Sequence, residues 1–236
     1  MGADGETVWQ IGTPDRHYND LAFNGDIHAY IRQFPNDVTF VVGQSEAKKD
    51  FAGIQPTTLD QWAGAREHPF EILFDLDAAP TGVYELRIDL VDTQSQSPPM
   101  LRVTVNDEQV ARQLPRGASD LSFMRPEMGK PVTLRFQVPA GTLREAGNRI
   151  ELRTFNGAWI IYDSVSFRRL SDNERPPLEV AVTPTIFFVE AADGLRQELK
   201  ITASGLFTAE PVRAQVLDGT ESLRTIDLGR PNLGML

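Results

Sequence analysis

Strict alternation of apolar and polar side chains constrains this chain more than any other feature. Tyr84-Glu85-Leu86-Arg87-Ile88-Asp89-Leu90 and Leu101-Arg102-Val103-Thr104-Val105 change character at every step. A two-residue period places successive side chains on opposite faces, which predicts strands with one buried and one wet face. Similar short runs recur at Val38 to Val42, Phe70 to Leu76, Val132 to Val138, Arg149 to Phe155 and Trp159 to Phe167, with turn residues between them. Short strands at this spacing predict an all-β antiparallel sandwich of jelly-roll type. Asn156-Gly157 lies between two of the strongest runs and predicts a tight hairpin. Ala47 to Phe51, Thr58 to Gly64 and Thr142 to Ala146 fit single helical turns, too short to form a helical layer.

A polar stretch, Ser171-Asp172-Asn173-Glu174-Arg175, closes on Pro176-Pro177 and reads as a linker over 171–177 between a sandwich over 1–170 and a second unit over 178–236. With 41% hydrophobic residues over 236 positions, one large or two small cores are within reach. Leu178 to Val189, Gln197 to Ala203, Val212 to Leu217 and Leu223 to Leu228 resemble the opening strands of an immunoglobulin-like sandwich. Such a sandwich uses about seven strands, so this one is expected to be partial and truncated. Its unpaired edges are expected to favour a homodimer through the C-terminal strands.

Composition removes several functions. A net charge of −10 repels nucleic-acid phosphate and anionic membrane surfaces. No apolar run approaches the roughly 20 residues needed to span a bilayer as a helix. Absence of Cys excludes disulfides, thiolate metal sites and thiol nucleophiles. Met1 to Glu6 carries neither a basic nor an apolar leader segment, so the start does not indicate a compartment.

Gly43-Gln44-Ser45-Glu46-Ala47 comes within one residue of a nucleophile elbow. That device needs parallel strand–helix repeats and a late His, whereas only His68 follows and no helical repeats appear. His17 and His28 lack metal-ligand spacing. Carboxylates are abundant, but no spacing marks a catalytic pair, and no cofactor is expected beyond a structural calcium ion. For that ion, Asn24-Gly25-Asp26 and the late-strand Asp163 offer oxygen ligands.

If the strands run alternately up and down, loop parity sends Gly43 to Glu67, Asp92 to Pro99, Leu114 to Pro131 and Asn156-Gly157 to one end. Asp77 to Gly82, Asn106 to Glu108 and Pro139 to Asn148 go to the other. Three long connections at one end exceed what folding requires and mark the place for binding. They present Trp62, Arg66, Asp92, Gln94, Ser95, Arg116, Ser119, Asp120 and Asn156. An aromatic face beside planar amide, carboxylate and guanidinium groups suits a sugar. Each residue also has a structural reading. Trp62 can plug the sandwich end, Arg116 and Asp120 can pin their own loop as an ion pair, and Asp92 can cap its loop by accepting backbone N–H bonds. Trp9 and Trp159 open apolar strands and are expected in the core.

An ordered series of strings carries a family resemblance: Trp9-Gln10-Ile11-Gly12, Phe40-Val41-Val42-Gly43, Lys49-Asp50-Phe51 leading to Pro56, Asp89 to Thr93 with Pro98-Pro99, Leu114-Pro115-Arg116-Gly117, and Trp159 to Asp163. Over residues 6–170 the chain resembles the galactose-binding-like third domain of rhamnogalacturonan lyases of polysaccharide lyase family 4. It also resembles the amino-terminal part of bacterial glycoside hydrolase family 38-type, α-mannosidase-like proteins. The resemblance implies a non-catalytic module, extracellular or periplasmic, that binds a polysaccharide or oligosaccharide and serves the catalytic domain of a parent enzyme. It matches Arg116 and Asp120 best. The alternative is a spacer that packs on that domain without binding glycan.

Overall fold

The computed structural model describes residues 5–174, 179–191, 194–204, 212–218 and 221–229. Strands β1 (Glu6–Gly12), β2 (Val38–Val41), β3 (Ile54–Gln55), β4 (Phe70–Phe74), β5 (Val83–Thr93), β6 (Met100–Val105), β7 (Glu108–Gln113), β8 (Val132–Pro139), β9 (Asn148–Phe155) and β10 (Ile160–Arg169) build two facing sheets. One runs β1-β10-β5-β8 with the short β3 also on β10, and the other runs β2-β4-β9-β6-β7. Every run expected from alternation is a strand. The three that alternation did not mark are β1, the two-residue β3 and the half-exposed edge strand β7, none of which has a long apolar face.

Aromatic rings close the core between the sheets. Phe70 stacks on Tyr162 at 5.7 Å, Phe51 meets both edge-on, and Phe74 packs between Trp9 and Phe167. Trp9 and Trp159 are buried, as expected. Burial of this apolar surface is the main driving force for the fold.

The expectation of one wet face per strand fails on β5, where the outward acids Glu85 and Asp89 are almost fully covered. Their cover is made of arginines and hydroxyls. Glu85 pairs with Arg135 at 3.2 Å and Arg168 at 3.1 Å, while Asp89 accepts from Arg87, Thr133 and Ser164. Long arginine stems lie along a sheet and bury what their heads neutralise.

Asn156-Gly157 is not a hairpin turn. β9 and β10 belong to different sheets, so the chain arches over the end of the sandwich instead of folding back on its neighbour. Asn156 takes the left-handed conformation at φ 53°, but Gly157 does not, so the type I′ geometry is absent. Gly157 has a different purpose: a Cβ there would lie 2.5 Å from Cα and N of Pro99 and 2.6 Å from the Ser97 carbonyl. Ala158 N–H donates to that carbonyl at 2.8 Å and the Thr57 hydroxyl donates to the Gly157 carbonyl, which locks the arch against two other connections.

The expected linker begins docked. Glu174 accepts from Gly5 and Ser171 and pairs with Arg168, which ties residues 171–174 to the sandwich; residues 175–178 lie outside those described. Beyond them, β11 (Glu179–Ala191) pairs with β12 (Gly194–Ser204), and β13 (Val212–Asp218) pairs with β14 (Glu221–Gly229), as two separate hairpins. Ile186, Phe187, Phe188 and Leu195 are exposed on the first of them.

Gly157→Ala is expected to destabilise the sandwich by about 1–3 kcal/mol, the usual cost of overpacking. Urea unfolding midpoints of the variant and the wild type measure it.

A loop end pinned by two carboxylates

Strand registers fix where the loops lie. Tracing direction through the ladders places the connections 94–99, 114–131 and 156–159 at one end of the sandwich, as parity predicts. One connection departs from the count. β2 is parallel to β4, so the chain from 42 to 69 begins toward the far end and climbs back, and only its later part lies with the other loops. β3 within it pairs with β10 at Ile160 and Ile161. The connection 13–37, which a count starting at Val38 leaves out, also belongs to this end, because β1 runs antiparallel to β10.

Two buried carboxylates organise these loops. Asp92 is fully buried, and its Oδ1 accepts the backbone N–H of Thr93 at 2.9 Å, Ala118 at 2.9 Å and Lys130 at 3.2 Å. It closes the 114–131 connection near both of its ends. Gly117 and Gly129 permit this approach, since a Cβ on Gly117 would collide with the Thr93 carbonyl and one on Gly129 with that of Val91. The second oxygen, Oδ2, is buried without a partner.

Asp163 sits where β10 slips register against β5, a bulge that takes it out of the ladder. Its oxygens accept the N–H groups of Asp15 at 3.2 Å, Arg16 at 3.1 Å and His17 at 3.2 Å. Three successive amides aimed at one anion form a nest, which holds Arg16 in its left-handed conformation at φ 69°. Burial pushes the Asp163 carboxyl up, and the three donors pull against that. Asp163 therefore fixes the start of the 13–37 connection. Asn24 and Asp26 likewise accept backbone N–H bonds, from Asp26 and His28. Among the described residues, no three His, Cys, Asp or Glu side chains gather in a metal-binding group.

The expected site residues divide into two groups. Asp92 is the loop staple just described. Trp62 is half-buried with its ring edge on Tyr30 at 5.8 Å and its indole N–H bonded to Asp60, so it plugs the sandwich end. Arg66 pairs with Asp37 at 2.6 Å and donates to the Glu67 carbonyl. Gln94 turns its own loop by accepting from the N–H groups of Gln96 and Ser97. Arg116, Asp120 and Asn156 stay exposed, and no Arg116–Asp120 ion pair forms among the described residues.

A cleft of about 700 Å³ opens at this end between a wall formed by His17 to Asn24 and a wall formed by Met124 to Glu127, with Gln33 and Lys48 on its rim. The Tyr18 hydroxyl donates to the Phe123 carbonyl and joins the two walls. Gly53 backs the first wall, where an added Cβ would lie 2.7 Å from Cβ of Phe23. None of the cleft residues was among the sugar-binding candidates, and only Asn24 was a candidate at all, as a calcium ligand. The missed signal was length: the stretch 13–26, which precedes the helical turns Ile27–Ala29 and Tyr30–Gln33, has no helix or strand and reaches the roughly 12–15 residues at which such a loop is usually functional.

Beneath Trp62 lies a buried polar network. Nε2 of His68 bonds the Ala63 carbonyl at 3.0 Å, which assigns its proton to Nε2 and leaves Nδ1 to accept from Tyr30. Burial lowers the His68 pKa to about 4 and raises that of Asp60 to about 6. The two act in opposite senses. As pH falls from about 6 to 4, the folded state gains stability from Asp60 and loses it from His68.

The chain is a two-sheet sandwich with its long loops gathered at one end. The chain belongs to the CBM-like family, polysaccharide lyase family 4, domain III, whose model matches residues 7–167. A rhamnogalacturonate lyase of Dickeya dadantii is 29% identical over 171 residues, covering 67% of this chain and 27% of the relative. The chain thus spans about a quarter of that enzyme's length. Among solved structures, a family 35 carbohydrate-binding module from Cellvibrio japonicus Abf62 is similar at a TM-score of 0.32 and 12% identity, over 72% of this chain and 94% of that one. A family GH115 4-O-methyl-α-glucuronidase is similar at 0.36 and 11% identity, over 71% of this chain and 18% of that one.

Asp92→Ala takes the acceptor from the buried Thr93 amide and from the part-buried loop amides of Ala118 and Lys130, and is expected to cost about 3 kcal/mol. Hydrogen exchange at Ala118 and Lys130 should quicken before the strands are affected. Asp60→Asn removes a buried charge, so its stability relative to wild type is expected to be higher at pH 7 than at pH 4, as read from urea midpoints at both pH values.

Proposed function

We propose that residues 5–174 act as a non-catalytic glycan-binding module serving a polysaccharide-degrading catalytic domain. The observation that carries this reading is the loop end. Arg116, Asp120 and Asn156 are exposed there and make no side-chain hydrogen bond or ion pair among the described residues, and the same end carries an open cleft. Membership of the CBM-like family supports it, as does the likeness to a rhamnogalacturonate lyase. Anchoring to an insoluble polymer raises the local concentration of a tethered catalytic unit, a gain that requires no new chemistry. A polymer of this kind lies outside the cell, so an extracellular or periplasmic location belongs to the same reading. Dimerisation through the C-terminal strands also belongs to it, supported by the exposed Ile186, Phe187, Phe188 and Leu195, since an isolated two-stranded hairpin is at best marginally stable in water.

One observation favours the spacer reading. Leu59, Leu121, Met124 and Met128 are exposed at the loop end, and such side chains suit a protein surface better than a sugar.

Isothermal titration with rhamnogalacturonan and mannan oligosaccharides separates the two. Heat of binding at millimolar ligand or below upholds the glycan reading, and none with either ligand leaves the spacer. Light scattering at micromolar concentration tests the dimer, and a strict monomer removes it.

A further inference from the structure

We infer that the glycan is held in the cleft between the His17–Asn24 and Met124–Glu127 walls, and that the ligand is a short run of neutral, hydroxylated sugar rings bound by hydrogen bonds without an aromatic platform. This rests on the glycan-binding reading above and gives it a location and a chemistry.

Size comes first. A volume of about 700 Å³ falls within the roughly 300–1,000 Å³ of sites that enclose small ligands. The rim is available: Asn19, Gln33, Lys48 and Glu127 line the cleft, and their side chains make no hydrogen bond or ion pair among the described residues. A sugar hydroxyl both donates and accepts. Amides that do the same, flanked by a donor ammonium and an acceptor carboxylate, match it from either side.

The absence of stacking follows from burial. Tyr18 and Phe23 form part of the lining, yet they are 4% and 9% exposed, and the Tyr18 hydroxyl is committed to Phe123. Trp62 stands outside the lining with its ring edge on Tyr30. Neutrality follows from the one cation and one carboxylate on the rim, Lys48 and Glu127, whose charges cancel; a phosphate or polyuronate chain would need an excess of donors. Preorganisation follows from the pins. Asp163 fixes one wall, Asp92 the base of the other, and Tyr18 the distance between them, so little ordering cost is left to binding.

The test titrates the whole chain with mannan and galactan oligosaccharides, both neutral, and with oligogalacturonides, at low and high salt. Gln33→Ala and Glu127→Ala are then compared with Arg144→Ala at the opposite end. Gln33 and Glu127 are exposed, so the folded state is unaffected. The expected result is binding of a neutral oligosaccharide at an affinity that salt does not change, weakened about tenfold by each cleft substitution, the equivalent of one lost polar contact, and within twofold of wild type for Arg144→Ala. Wild-type binding that both cleft variants retain overturns this inference and leaves the glycan reading intact, as does loss on Arg116→Ala alone. Binding confined to oligogalacturonides and abolished by salt overturns the assigned chemistry. No binding of any glycan by the wild type overturns the reading on which the inference rests.

Discussion

A buried carboxylate receiving backbone N–H groups is the interaction on which the long-loop end of this protein depends. A long loop without regular structure has amides that neither a ladder nor a helix satisfies, and burying them unpaired is costly. Asp92 and Asp163 supply acceptors from inside the sandwich, on strands that are direct neighbours: Asp92 is opposite Ile161, two residues before Asp163. The two longest connections at this end are therefore anchored within one short stretch of a single sheet. Without these acceptors the loops would have no defined position, and no cleft would form between them.

The fold was largely legible because alternation is a local property. Tyr84 to Leu90 must be a strand whatever surrounds it. Which strand lies beside which is not local. Asn156-Gly157 has the composition of a hairpin turn, but tertiary packing sent its flanking strands to opposite sheets, and the glycine is needed for close approach to Pro99 rather than for a left-handed turn. The parallel placement of β2 beside β4 was illegible for the same reason.

The loop end was legible in outline and not in detail. Loop parity gathered the long connections at the end where the registers place them, but it named residues whose polar groups the loops consume: Arg66 with Asp37, Gln94 within its own turn, Trp62 on Asp60. Asx-type and guanidinium side chains in long loops serve the backbone first, and only coordinates tell which remain free. The cleft escaped because Tyr18, Gln33 and Glu127 are distant in sequence and share no period. Gly53, Gly117 and Gly129 were the recoverable clue, since each marks a point where a second backbone or a packed side chain comes too close for a Cβ.

Asp92 has one more consequence. It grips the 114–131 connection at Ala118 and Lys130 and leaves the stretch between them to form its own short turns, Asp120–Phe123 and Pro126–Met128. That stretch behaves as a cassette seated in a fixed socket. Phe123 and Ser122 fasten it to the core, with Phe123 packed on Trp159, so the exposed Leu121, Met124 and Met128 are the positions where its surface can vary while the frame is kept.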